Sequence, residues 1–279
     1  QTVVDVYMDG QGAGTGTVGD PWNDCAEAIA EAANQDLVTS NEIWRLHVVD
    51  GDYDDTSTCL FTASDWTTSS TQYIEIVADF YHGGAWDDSK PIFKSGNKGG
   101  LEFVDGLDAK IRGIQIEIDD TASGCRGINI FEDSTTSGDS TYEIDGVLLK
   151  GSTTCASPRG IRITHSGGAD SDVTISNTAI YNGFLYGIEA NPGDNSTLNI
   201  YHTVSYGCDD NNCRNLQYNP STTGTTLNLK NSFFSTVSGT GSVDINASSN
   251  FATENIAAVF CSDGDADGKC TSDNQTMSW

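Results

Sequence analysis

The chain has 279 residues, enough for one large elongated domain or two small ones. Its 40 acidic residues against 13 basic ones leave a net charge of -27, a surface that repels nucleic acid and anionic lipid and suits divalent cations. Disorder is excluded as well, since 37% of the residues are hydrophobic and recur at strand-like spacing, and no apolar run reaches the ~18 residues needed to span a membrane.

In chain order, residues 2–8 (Thr-Val-Val-Asp-Val-Tyr-Met) alternate as a strand. A Gly/Thr loop follows from Gly10 to Gly19. Asp20-Pro-Trp-Asn-Asp24 then opens a helix, with Asn23 or Asp24 as N-cap and Glu27 near the third position. The Ala-rich stretch from Cys25 to Asn34 is the one helix the pattern predicts. Trp44 to Val49 reads as a strand and Asp50 to Asp55 as an acidic turn. Tyr73 to Val77 and Leu101 to Val104 are further strands.

From there one phrase recurs: Lys110-Ile-Arg-Gly-Ile-Gln-Ile116, Glu143-Ile-Asp-Gly-Val-Leu-Leu149, Thr174-Ile-Ser-Asn-Thr-Ala-Ile180, Asn199-Ile-Tyr-His-Thr-Val204 and Asn228-Leu-Lys-Asn-Ser-Phe-Phe234. Anchored on Ile111, Ile144, Ile175, Ile200 and Leu229, the spacings are 33, 31, 25 and 29 residues. Units of this length cannot bury an apolar face alone and must stack. A propeller needs ~40 residues per blade, and a β-sandwich would not repeat one phrase at a near-constant interval. A second series, Gly127-Ile-Asn-Ile130, Gly160-Ile-Arg-Ile163, Gly187-Ile-Glu189 and Asn215-Leu-Gln-Tyr218, places another strand in each unit, with Gly at a sharp bend.

A helix near the N-terminus followed by Ile-x-Gly-Ile-x-Ile rungs resembles the right-handed parallel β-helix of the pectate-lyase-like superfold. The stretch from Trp66 through Tyr73 to His82-Gly-Gly-Ala-Trp86-Asp also resembles uncharacterised β-helix surface proteins of environmental bacteria and phages. The resemblance implies an all-β, single-domain solenoid over 1–279. Residues 1–40 would form the first strand and a helix capping the open end of the coil. Rungs would fill 41–251, and a Cys-bounded acidic loop and tail would fill 252–279.

Eight cysteines, with no CxxC and four His in the chain, point to disulfides in an oxidising, extracellular compartment rather than zinc. Sequential pairing joins Cys25 to Cys59, Cys125 to Cys155, Cys208 to Cys213 and Cys261 to Cys270. Asn195, Asn246 and Asn274 open glycosylation sequons. A start at Gln1 rather than Met fits removal of a leader or trimming, and the ending at Met277-Ser-Trp279 fits a fragment of a larger protein.

Asp263-Gly-Asp-Ala-Asp-Gly268 alternates oxygen ligands with a Gly at the sixth position, the first half of a Ca²⁺-wrapping loop, with Asp263, Asp265 and Asp267 as ligands. The twelfth position is Asn274 instead of the bidentate Glu, and Cys261 and Cys270 bracket the loop. The expected role is structural.

Lysis of an acidic polysaccharide needs a base, usually Lys or Arg of lowered pKa, with cations to neutralise the uronate. Lys150, Arg159, Arg162 and His165 are the candidates on adjacent rungs. Pro158-Arg-Gly-Ile-Arg162 does not follow the Arg-x-Pro-x-x-Arg order of pectate lyases. Glycoside hydrolysis would need paired carboxylates, for which Asp209-Asp210 stands alone, without the Gly-His-Gly phrase of polygalacturonases. Aromatic residues gather in the first third and can stack on sugars or pack under loops. Asn177, Asn211, Asn212 and Asn231 at turns suggest an Asn ladder inside the coil. The sequence therefore predicts an extracellular structural or adhesive protein. That is a subunit of a filament, fibre or virion appendage, self-associating through open ends, or a glycan-binding surface module. A secreted polysaccharide lyase or glycoside hydrolase is the alternative.

Overall fold

The structure, a computed structural model, describes the chain except residues 11–13, 33, 50–51, 56–58, 80–81, 96–99, 119–123, 133–138, 152–154, 166–169, 209–212, 221–223, 237–242, 248–252, 262–271 and 274–279. The side chains of 52–55, 95, 208, 236, 243 and 272–273 also lie outside the described part. The fold is a right-handed parallel β-solenoid of about 6 turns, 59% strand, with two short helices among the described residues.

Each full turn carries three strands, and like strands stack in parallel register. Sheet one runs Thr2–Met8, Glu42–Val48, Ile74–Ala78, Ala109–Arg112, Ser140–Asp145, Ser171–Ser176, Thr197–Tyr201 and into Thr226–Thr236. Sheet two runs Asp52–Asp55, Ile92–Ser95, Gln115–Ile118, Leu148–Lys150, Ala179–Tyr181 and Val204–Cys208. Strand Thr226–Thr236 continues round the corner and pairs with the last strands of both. Sheet three stacks Cys59–Thr62, Leu101–Val104, Arg126–Glu132, Arg159–His165, Tyr186–Asn191, Arg214–Tyr218 and Val243–Ala247.

The repeated phrase is one face of sheet one plus its corner. Ile111 pairs with Ile144, Ile144 with Ile175, Ile175 with Ile200 and Ile200 with Leu229. The column continues to Ile76, Leu46 and Val6 before it and to Ile256 after it. Burying each such side chain stabilises the coil by about 1.5–3 kcal/mol. The fourth letter of the phrase makes the corner. Gly113, Gly146, Asn177, His202 and Asn231 all have left-handed φ, between 49° and 66°, a region open to Gly and, among other residues, most readily to Asn. The next letter points inward, where Thr178, Thr203 and Ser232 are buried. Their hydroxyls donate to the carbonyls of Ser176, Tyr201 and Lys230 two residues back.

The interior Asn ladder is overturned. Asn177 and Asn231 are exposed at the corner because the left-handed turn aims their side chains away from the core; Asn211 and Asn212 lie outside the described residues. An amide ladder exists instead on the outer face of sheet one. Asn255 Nδ2 donates to Asn228 Oδ1 at 2.7 Å, Asn228 Nδ2 to Asn199 Oδ1 at 2.8 Å, and Asn199 Nδ2 to Thr174 Oγ1 at 3.2 Å. The acidic stretch is corrected too: Asp52–Asp55 is a strand of sheet two, held by pairing with Ile92–Ser95.

The glycines of the second series are there for space. A Cβ at Gly127 would meet the Gly160 carbonyl at 2.9 Å and Leu149 at 2.4 Å, and one at Gly160 the Gly187 carbonyl at 2.5 Å. Rung stacks on rung too closely for a side chain.

At the first rung, helix Cys25–Glu31 packs against Cys59–Thr62 and Thr2–Met8. Asp24 is its N-cap, accepting from Glu27 N at 2.7 Å, while Glu27 Oε2 accepts from Asn23 N at 3.0 Å. Disulfide Cys25–Cys59 ties the helix to sheet three, and Cys125–Cys155 ties two successive turns. Cys213 and Cys261 are also bonded; the Cys208 side chain and Cys270 lie outside the described residues. A second helix, Leu37–Ser40, escapes sequence reading because it is one turn long. Behind the cap, Trp44, Phe61, Trp66, Phe103 and Tyr142 form an internal aromatic pillar, with Phe61 stacked on Phe103 at 5.2 Å.

Candidate functional site

The structure separates the four lyase candidates. Lys150 faces outward on sheet two, its Nζ 2.5 Å from Glu117 Oε1 and over the Trp86 ring at 5.1 Å. His165 points into the coil and is 7% exposed. Its Nε2 meets Ser171 Oγ at 2.8 Å, and burial lowers its pKa to about 4 despite a backbone contact with Asn191. Arg159 and Arg162 alone share a face, the outside of sheet three.

Parallel register gathers further groups there. One column stacks Arg126, Arg159, Tyr186 and Arg214; the next stacks Glu102, Asn129, Arg162, Glu189 and Gln217. Stacked strands bring such groups about 4.8 Å apart. Four of the chain's six arginines therefore sit on one face of a strongly acidic protein. Glu189 Oε2 accepts from Arg159 Nε and lies 3.3 Å from Arg162 Nε. Arg159 and Arg214 lie over the two sides of the Tyr186 column at 5.4 and 6.0 Å from its ring. Asn129 Nδ2 donates to Glu102 Oε1 at 2.8 Å. Disulfide Cys125–Cys155 holds the segments that lead into Arg126 and Arg159.

Arg126 is left over. Among the described residues it makes no ion pair, and its Nε is buried without a hydrogen-bond partner. Burial lowers its pKa, as do Arg162 and Arg159, against a weaker opposing pull from Glu102 and Glu189. A half-buried guanidinium beside two others is a cradle for a carboxylate or sulfate, which the planar fork binds bidentately. The sequence did carry this signal. Arg126, Arg159, Tyr186 and Arg214 each stand just before the Gly or Asn that opens the second strand series, so register alone aligns them.

The remaining expected sites are dispersed. Asn195 sits exposed on a left-handed turn with φ 55°. Asn246 is half-buried in sheet three, its amide 3.1 Å from Gln217. Asn274, the candidate calcium ligands Asp263, Asp265 and Asp267, and Asp209-Asp210 lie outside the described residues. No cluster of three or more His, Cys, Asp or Glu placed to hold a metal occurs among the described residues. Of the early aromatics, Trp44 and Trp66 are core, whereas Trp86 is half-exposed over sheet two. No helix among the described residues is long and apolar enough to cross a membrane.

No protein-family model and no curated protein matches the chain. Among solved structures it is similar to a crystal structure of the pectate lyase Pel9A, at 12% identity and a TM-score of 0.33, over 90% of this chain and 78% of that one. At that level the likeness carries nothing about activity.

Proposed function

We propose that this protein is an extracellular adhesive β-helix that grips an anionic polysaccharide along the outer face of sheet three. The observation that supports it is Arg126, half-buried and without an ion pair among the described residues, beside Arg159 and Arg162. Like charges stacked one strand apart repel, and an anionic ligand relieves that repulsion. Disulfides suit a secreted protein. A structural Ca²⁺ held by Asp263, Asp265 and Asp267 belongs to the same proposal, and its test is a fall in melting temperature on chelation that added calcium reverses.

The binding test is titration with polygalacturonate, alginate and dextran sulfate. Saturable binding that weakens with salt and about tenfold or more in Arg126→Gln supports the reading. No binding to any of the three sinks it. Appearance of an unsaturated uronate product would replace adhesion by β-elimination, for which Arg126, with its lowered pKa, is the base to substitute first.

End-to-end assembly into a fibre is a second reading. In its favour, Thr2–Met8 is an outermost strand of sheet one and Val3 on it is 38% exposed. Electron microscopy of the purified protein separates monomers from fibres.

A further inference from the structure

The outer face of sheet two departs from the polar alternation expected of a solvated sheet. One outward column is apolar, with Leu148, Ala179, Val204 and Phe233 in register. The column beside it reads Lys150, Tyr181, Tyr206 and Ser235. The segment 82–91 crosses the face above them and is firmly tied down. His82 Nε2 donates to the Gly146 carbonyl at 2.7 Å, and Gly84 N donates to His82 Nδ1 at 2.9 Å. Asp87 N donates to Gln115 Oε1 at 2.7 Å while Gln115 Nε2 returns a bond to Asp87 O at 2.9 Å. Trp86, at the tip, stands edge-on to Tyr181 at 5.9 Å, its Nε1 bound to Asp88 at 2.8 Å. Tyr181 and Tyr206 are stacked at 5.8 Å and 13°.

Between segment and sheet lies a cavity of about 540 Å³, walled by Trp86, Tyr181, Tyr206, Val204 and Phe233. That volume falls within the usual range for ligand pockets, about 300–1,000 Å³. Tyr181 is 9% exposed, and its hydroxyl is buried with no hydrogen-bond partner among the described residues. An unpaired buried hydroxyl costs stability unless something it binds repays it. Tyr206, by contrast, is 43% exposed and presents its ring at the mouth.

We propose that this pocket binds a neutral pyranose unit of a glycan, stacked on Tyr206 and hydrogen-bonded to the Tyr181 hydroxyl. The rim argues for a neutral ligand. Lys150, which lies over the Trp86 wall, is already matched by Glu117, and the chain as a whole carries a net charge of -27, so the rim offers an acidic sugar little attraction. An alkyl chain would fill the apolar column but leave the Tyr181 hydroxyl unmatched. A sugar ring has both an apolar C–H face for the aromatic wall and hydroxyls for the polar edge. The site is on a different sheet from the arginine face and does not rest on it.

The test titrates the whole protein with cellotetraose, xylotetraose and mannotetraose, following tryptophan fluorescence and calorimetry. At least one should bind saturably, with affinity lost in Tyr206→Ala and weakened about tenfold in Tyr181→Phe, the loss of one well-placed hydrogen bond. Tyr181→Phe removes a single atom, so unchanged melting shows that it remains folded. Arg126→Gln should leave this binding intact. The proposal is overturned if none of the three tetraoses binds, if Tyr181→Phe and Tyr206→Ala bind as tightly as the parent, or if decanol occupies the pocket in their place. Concentration-dependent dimerisation abolished by Tyr206→Ala would also overturn it, assigning the face to a second copy.

Discussion

On the two central columns of sheet three, charged and amide groups bond to one another along the stack. Arg159 and Arg162 share Glu189, and Asn129 holds Glu102. On sheet two, one corner earlier in every turn, the same rungs carry Val204, Phe233, Tyr181 and Tyr206, and a tethered segment roofs them. Both faces grow from one backbone and one core. A solenoid fixes its inward residues and leaves each outward column open to carry a separate surface. The contrast also shows how each face handles a misfit. Among the described residues, sheet three leaves an arginine without an ion pair, and sheet two leaves a hydroxyl without a partner. Each misfit is the basis of the ligand proposed for its face.

The largest effect should come from the shared core, which tests whether the faces are independent at all. Phe103→Ala removes the ring stacked on Phe61 and edge-on to Tyr142 and should cost about 3–5 kcal/mol in urea unfolding. Both binding activities should fall together, in proportion to the unfolded fraction. A loss confined to one face would show that the pillar shapes that site directly.

Acid should strike beneath sheet three first. The pKa of His165 is lowered from its ordinary value of 6.5 to about 4, so the folded state holds fewer protons than the unfolded chain between those values. Its contribution is complete above pH 6.5 and is lost as the pH falls to about 4, amounting to about 3 kcal/mol. Glu132, its register partner on the preceding rung, works the other way, since burial raises its pKa and acid relieves it. The histidine is therefore read from the difference between the parent and His165→Gln, which keeps a partner for Ser171. Equal acid sensitivity in both would rule the histidine out.

Gly160→Ala probes the junction of the faces. Its Cβ would lie 2.5 Å from the Gly187 carbonyl and 2.8 Å from Ile180, between Ala179 and Tyr181 of sheet two. We expect a loss of about 1–3 kcal/mol and weaker binding at both sites. Full stability would mean that the rungs can part.

The smallest effect should be the most selective. Tyr186→Ala removes the ring between Arg159 and Arg214; a cation–π contact at a partly exposed site contributes about 0.5–1 kcal/mol. Affinity for acidic polysaccharide should drop a few-fold while tetraose binding is unchanged. If tetraose binding falls instead, the two faces are not separate sites.

Much of this architecture was legible beforehand. The five-fold phrase states its own register, and the pairings Ile111–Ile144–Ile175–Ile200–Leu229 follow from lining up its letters. The corner residue is legible for the same reason, because a left-handed turn admits few residue types. The segment around Trp86 was not legible. It lies outside the repeat, and only contacts as distant in sequence as His82 with Gly146 place it over Tyr181. The four lyase candidates were near one another in sequence but were scattered by pleat and corner. Lys150 went to one sheet, His165 turned inward, and only Arg159 and Arg162 stayed together.

The sequence alone determined the coil, its rung spacing and its buried columns, because inward positions repeat under one physical demand, the exclusion of water from a continuous apolar core. Outward positions answer to no such periodic demand. Which of them meet was decided only when parallel register, a left-handed corner and the roofing segment set Arg126 beside Arg159 on one face and Trp86 against Tyr181 on another.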